Sequence, residues 1–160
     1  MDELLGRAAG GEARSPSVAV VVPCHRLTLE RADEVGLRHL RRHLGEYDTY
    51  LVLPEGLEGT IDGLPVKRFD ARLFRDHRAH QRLMLSPRLY DAFSGYEFVL
   101  VYHLDSLVFE DRLAEWCGLG YDYVGAPWTR RGPDGSPFFT GVGNGGFSLR
   151  RVESCLRALA

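Results

Sequence analysis

The chain has no apolar run long enough to cross a bilayer. Its longest runs, such as Val18–Val22, fall far short of the roughly 20 residues that a membrane helix needs. It has no excess of basic charge either: the formal net charge is -2, so no positive field points to nucleic acid or an anionic membrane. Cysteine is scarce. Cys24, Cys117 and Cys155 are odd in number and far apart, which argues against a disulfide framework and for a reducing, cytoplasmic setting. The opening segment MDELLGRAAGGEARSPS is acidic early and lacks an apolar core, so no secretory signal is expected. Internal repeats and low-complexity tracts are also missing.

What is present is ordinary for a globular domain: 160 residues, 44% hydrophobic and 26% charged. Residues 1–16 read as a flexible lead and 17–160 as one domain. Ser17–Val22 is β-branched and continuously apolar, the pattern of a strand buried on both faces. Thr28 is a candidate cap for a helix reaching about His43, with Gly45 to stop it. Further strands are expected at Tyr47–Leu53, Val66–Phe69, Phe98–Tyr102, Tyr121–Val124 and Gly146–Leu149. Helices are expected at Asp76–Met84, from Ser86-Pro87 to Phe93, at Asp111–Cys117 and at Val152–Leu159, with a loop over Arg130–Pro137. Strands alternating with helices predict an α/β fold with a mostly parallel central sheet flanked by helices.

In such sheets ligands bind beyond the carboxyl ends of the strands. That places three segments at a candidate site: Pro23-Cys24-His25-Arg26, Pro54-Glu55, and His103-Leu104-Asp105 after the most apolar strand. A carboxylate at the end of a buried strand calls for a positive partner. One Asp with waters and substrate phosphates suits Mg²⁺ or Mn²⁺; the competing reading is an Asp capping the next turn and a His packed on the sheet. In GVGNGGFSLRR, residues 141–151, four glycines in six positions bare the backbone to a ligand. The letters G-x-G-x-x-G occur at Gly141, Gly143 and Gly146. The FSL that follows reads as strand, however, and no acidic residue lies about 20 positions on, so this is not a dinucleotide fingerprint. A tight turn and a substrate-facing loop both remain open. In YDYVGAPW, Trp128 offers a flat apolar face, either to a sugar or to the core.

Taken together, YHLDSLVF, EWC, YDYVGAPW and VGNGGFSLR resemble a family of glycosyltransferase-like domains long catalogued as of unknown function. That family is related to the metal-dependent nucleotide-sugar enzymes of the GT-A fold. VVPCHR and QRLMLSPRLYDAF add to the resemblance, which covers about residues 17–152. It implies a GT-A-like, Rossmann-like nucleotide-binding half. His103 and Asp105 stand where those enzymes carry Asp-x-Asp, with Asp105 the retained metal-facing carboxylate. Pro23, His25 and Arg26 would edge the nucleotide pocket, with Glu55 near the base. Gly125, Ala126 and Trp128 would approach the sugar, and Asn144, Gly145 and Gly146 the donor sugar and acceptor side.

A cation bridging a diphosphate makes it a better leaving group, and Arg26 or Arg82 would add charge-assisted bonds to phosphate. GT-A enzymes commonly continue beyond the glycine stretch to a base-bearing motif, whereas this chain ends at Ala160 and looks short at that end. Glu153 is the one carboxylate after the glycines, and so the candidate general base, against a capping role in its helix. The expectation is a cytoplasmic glycosyltransferase domain taking a UDP- or GDP-linked sugar, with Mn²⁺ or Mg²⁺, to an unknown hydroxyl acceptor. A second copy or a complementing chain would cover exposed sheet surface. The alternatives are a catalytically inactive nucleotide-sugar-binding module, or a nucleotidyltransferase. The last is disfavoured because PCHRLTLE lacks glycine.

Overall fold

The computed structural model describes residues 17–160; the lead expected over 1–16 lies outside them. The elements run β1 (Val18–Pro23), α1 (Arg31–Leu44), β2 (Asp48–Pro54), β3 (Val66–Phe69), a 3-10 turn (Ala71–Phe74), α2 (His77–Met84), α3 (Pro87–Asp91) and β4 (Phe98–Tyr102). Then come α4 (Leu113–Gly118), β5 (Tyr123–Arg131), β6 (Pro137–Arg151) and α5 (Val152–Leu159).

The strands form one sheet in the order β3-β2-β1-β4-β6-β5. The pairs β1–β2, β1–β4 and β2–β3 are parallel, while β6 runs antiparallel to both β4 and β5. The two antiparallel ladders together are as long as the three parallel ones. The mostly parallel, Rossmann-like and GT-A-like sheet expected from the sequence is therefore corrected to a mixed six-stranded sheet with five helices. The glycine-rich approach to FSL was read as turn or loop, yet Pro137–Arg151 is one long strand. Glycine lowers strand propensity without forbidding a strand, and register shifts near Ala126, Pro127 and Thr129 absorb the irregularity. The loop expected over Arg130–Pro137 is the end of a hairpin, with β5 continuing to Arg131.

The inner strands alternate side chains between two cores. Val18, Val20, Val22, Leu51, Leu53, Phe98, Leu100 and Tyr102 face α1, which contributes Leu37, Leu40 and Leu44. Ala19, Val21, Val52, Val99 and Val101 face the other way, against Leu83, Met84, Leu89, Tyr90 and Val152 of α2, α3 and α5 and Phe93 just after α3. This period of two, apolar on both faces, is why these short runs read as buried strands.

Helix α1 begins at Arg31 rather than from a cap at Thr28: the Asp33 carboxylate accepts the Glu30 backbone N–H at 2.9 Å. Asp76 caps α2 by accepting from the Ala79 N–H at 2.8 Å. Gly36 lets α1 lie against the segment after β4, since a Cβ there would stand 1.9 Å from the Leu104 carbonyl oxygen. The Tyr102 hydroxyl ties the same junction, at 3.0 Å from Gly36 O and 2.8 Å from Ser106 O. The loop carrying Asp105 is thereby fixed to both the sheet and α1. Among the described residues, no helix is long and apolar enough to cross a membrane.

Candidate functional site

The chain runs outward from β1 to β2 and β3, then returns to place β4 on the other side of β1. Connections leaving neighbouring strands in opposite directions open a crevice at their carboxyl ends. A cavity of about 590 Å³ occupies that crevice. Pro23, Cys24, His25 and Arg26 line it after β1, and His103, Leu104 and Asp105 after β4. Phe74, Arg75, Asp76, His77 and His80 close the side towards α2.

A second cavity, of about 780 Å³, lies beneath β6. The antiparallel direction of β6 is what builds it. Phe147 pairs with Tyr102 at the end of β4, so Gly146, Gly145 and Asn144 continue past that end, and the His103 N–H donates to Gly146 O at 2.8 Å. Trp128 and Tyr123 of β5 and Arg150 of β6 complete this cavity with α2 and α5 residues. His77, His80, His103 and Asp105 line both cavities and form their common wall.

Within that wall the His103 and His80 rings meet Nε2 to Nε2 at 2.9 Å, edge to face. Burial pushes His80 down to about 4, helped by the like charges His103, His77 and Arg150 would present. Burial also lowers His103, against the pull of Asp105, which favours protonation. The pair is thus neutral at pH 7, one ring donating and the other accepting. Gly146 is needed for this packing, because a Cβ there would lie 3.0 Å from His103 Nδ1. Asp105 is exposed and makes no hydrogen bond or ion pair within the described residues.

Among the described residues no three His, Cys, Asp or Glu side chains gather to hold a metal. His103 Nε2 is engaged by His80, and the Asp105 carboxylate has no partner among the described residues. One carboxylate suits Mg²⁺ or Mn²⁺ where phosphate oxygens and water complete the shell.

The other expected residues divide. Pro23, His25 and Arg26 reach the first cavity; Trp128, Asn144, Gly145 and Gly146 reach the second. The Arg26 guanidinium, however, is held by Asp33 at 2.9 Å and Glu30 at 3.0 Å, so α1 already neutralises it. Glu55 and Arg82 are exposed and line neither cavity. Gly125 and Ala126 pair with Ser148 and Asn144 inside the hairpin and also line neither. Glu153 is 77% exposed on α5, where it pairs with Arg157 at 2.7 Å, away from both cavities.

Sequence reasoning missed His77, His80, Arg75 and Arg150. The first two stand three apart on α2, a spacing that puts both on one helix face and could have flagged them. Cys24 is buried, and burial pushes its thiol up to about 12.

A search of curated proteins returns no match. One protein family matches residues 63–160, a segment that takes in β3 to α5 and therefore the whole His80–His103–Asp105 wall, the glycine stretch and Arg150. That family is described as a protein of unknown function (DUF5672), and because the match spans more than half of the chain, the chain belongs to it.

Proposed function

We propose that this chain binds a nucleotide-linked sugar across the two joined cavities and serves glycosyl transfer from it in the cytoplasm. One observation carries the reading. A crevice at the ends of β1 and β4 shares a wall, bearing the free carboxylate Asp105, with a second cavity lined by Trp128, Tyr123 and bare glycine backbone. The first has the position and size for a nucleotide. The second offers aromatic faces and uncovered peptide groups, which suit a sugar ring. The joint between them is where a diphosphate would lie. There Asp105 would hold Mg²⁺ or Mn²⁺ together with phosphate oxygens, and the ion would neutralise the leaving diphosphate.

The chain's own residues supply position and exclusion. Arg75 at the mouth of the first cavity would meet phosphate in place of Arg26, which α1 occupies. The neutral His80–His103 pair separates nucleotide and sugar ends without adding charge. UDP- and GDP-linked sugars are the donor classes to test, and a hydroxyl-bearing molecule the acceptor.

A second reading is binding without turnover, and one feature favours it. Asp105 is the single carboxylate among the described residues lining the sugar-side cavity. If it holds the ion, no carboxylate is left there to deprotonate an acceptor. The exposed Trp128, Phe138, Phe139 and Val142 of the β5–β6 hairpin support a further expectation, pairing with a second chain. Incubation with UDP- and GDP-sugars plus Mn²⁺, read as released nucleotide, separates the two readings, with mass in solution measured alongside. Nucleotide affinity with release supports transfer. Affinity without release supports a binding module. Absence of affinity removes both.

A further inference from the structure

Arg150 sits in the middle of β6 with only 6% of its surface exposed, yet it lines the sugar-side cavity. A buried guanidinium ordinarily pairs with a carboxylate. Here it has none among the described residues. Nε donates to Ser148 Oγ at 3.0 Å, and Nη1 donates to Tyr90 Oη at 2.6 Å and to Met84 O at 3.2 Å. Nη2 has a single long contact, to Gly145 O at 3.5 Å. Every partner is a neutral oxygen. The Tyr90 hydroxyl stays protonated, because burial pushes it up to about 12, and burial likewise raises the neighbouring Cys155 thiol. The Tyr123 ring stacks over the guanidinium at 5.4 Å and adds no charge. Asp105 lines the same cavity but makes no bond to Arg150.

The guanidinium has five N–H groups. Three are used well, one weakly, and one on Nη2 is free. Gly145 keeps that nitrogen accessible, since a Cβ at 145 would stand 3.0 Å from it. A permanent cation, desolvated, bonded only to neutral oxygens and carrying a free N–H in a cavity wall, is suited to receive an anion.

We propose that the sugar-side cavity takes a ring bearing an anionic group, a carboxylate or a phosphate, which Arg150 receives through Nη2. The proposal rests on reading this cavity as the sugar side, and it assigns that side a charge preference. Arg150 anchors β6 to the α2–α3 junction through Met84 and Tyr90. A purely structural role would therefore also cost stability on mutation, but it would give no preference among ligands by charge.

The test uses the full chain, with saturation-transfer NMR and thermal shift at matched ionic strength. Glucose, glucuronate and glucose 6-phosphate are the probes. Either or both anions should bind about tenfold or more tightly than glucose, the gain expected from one charge-assisted pair. The better of the two tells carboxylate from phosphate. Arg150→Met should abolish the preference, and Arg150→Lys should keep part of it. If Arg150→Met fails to fold, Gly145→Ala crowds Nη2, shifting the guanidinium by a few tenths of an ångström while keeping its charge, and should itself lower the preference. Equal binding of all three probes, binding of none, or a preference untouched by Gly145→Ala overturns the proposal. A parallel UDP titration separates the two claims: UDP binding with no anion preference removes only this inference, and anion preference without UDP binding removes only the nucleotide reading.

Discussion

Nε2 of His103 lies 2.9 Å from Nε2 of His80, joining the end of the central strand to α2 across the wall between two cavities. That bond needs at least one unprotonated ring. Burial holds His80 near 4, below the ordinary 6.5, so the folded chain resists a proton that the unfolded chain accepts. Stability from this source is complete above pH 6.5 and is lost as pH falls towards 4. After allowance for partial solvent exposure, the loss is on the order of 2 kcal/mol. Urea unfolding of wild type and His80→Gln across this range should show the wild-type curve falling more steeply on acidification. Parallel curves would mean that His80 titrates normally.

Gly146→Ala should disturb the same pair while leaving the fold intact. Its Cβ would press on His103 Nδ1, forcing the ring to move by a few tenths of an ångström. We expect a stability loss of about 1 kcal/mol. Imidazole NMR titration should show His80 moving back towards its ordinary value. An unchanged His80 titration would show that the glycine does not set the ring position.

Gly36→Ala is expected to be severe. Its Cβ would stand 1.9 Å from the Leu104 carbonyl oxygen, and backbone cannot step aside as a side chain can. Overpacking of this kind costs about 3 kcal/mol or more. Gly118→Ala, at an open helical position, is the control and should be neutral or slightly stabilising. Denaturation midpoints compare the two; equal midpoints would contradict the close packing of α1 on the Asp105 loop.

Glu153→Gln should leave nucleotide binding, and any turnover, unchanged. The side chain points to solvent and pairs with an exposed Arg157, an interaction worth no more than about 0.5 kcal/mol. A large fall in turnover would return Glu153 to the role of general base.

Much of the sheet interior was legible in the sequence. Val18–Val22 and Phe98–Tyr102 are apolar on both faces, and β3 keeps its expected bounds at Val66–Phe69. What such runs do not encode is strand direction. A strand buried on both faces reads the same whether its neighbour is parallel or antiparallel, so the direction of β6 was hidden. Its length was hidden too, because glycines broke the apolar alternation that marks a strand. Those two features decide the second cavity, since they carry Asn144–Gly146 past the end of β4 to His103. At the site, His103 and Asp105 were legible from strand-end logic. Arg150 was not, because in FSLRR it looks like one of two strand-end cations. Only packing shows Arg150 turned inward beside Tyr90, while Arg151 pairs with Glu97 at 2.7 Å.

In the proposed function a nucleotide diphosphate binds at the ends of β1 and β4 with a cation held by Asp105. Calorimetric titration of UDP and GDP into wild type and Asp105→Asn, with Mn²⁺ and with EDTA, tests it most directly. Wild type should bind one of them at least about tenfold more tightly with Mn²⁺, and Asp105→Asn should lose most of that gain. No binding of either nucleotide, or equal affinity in Mn²⁺ and EDTA for both proteins, would contradict it.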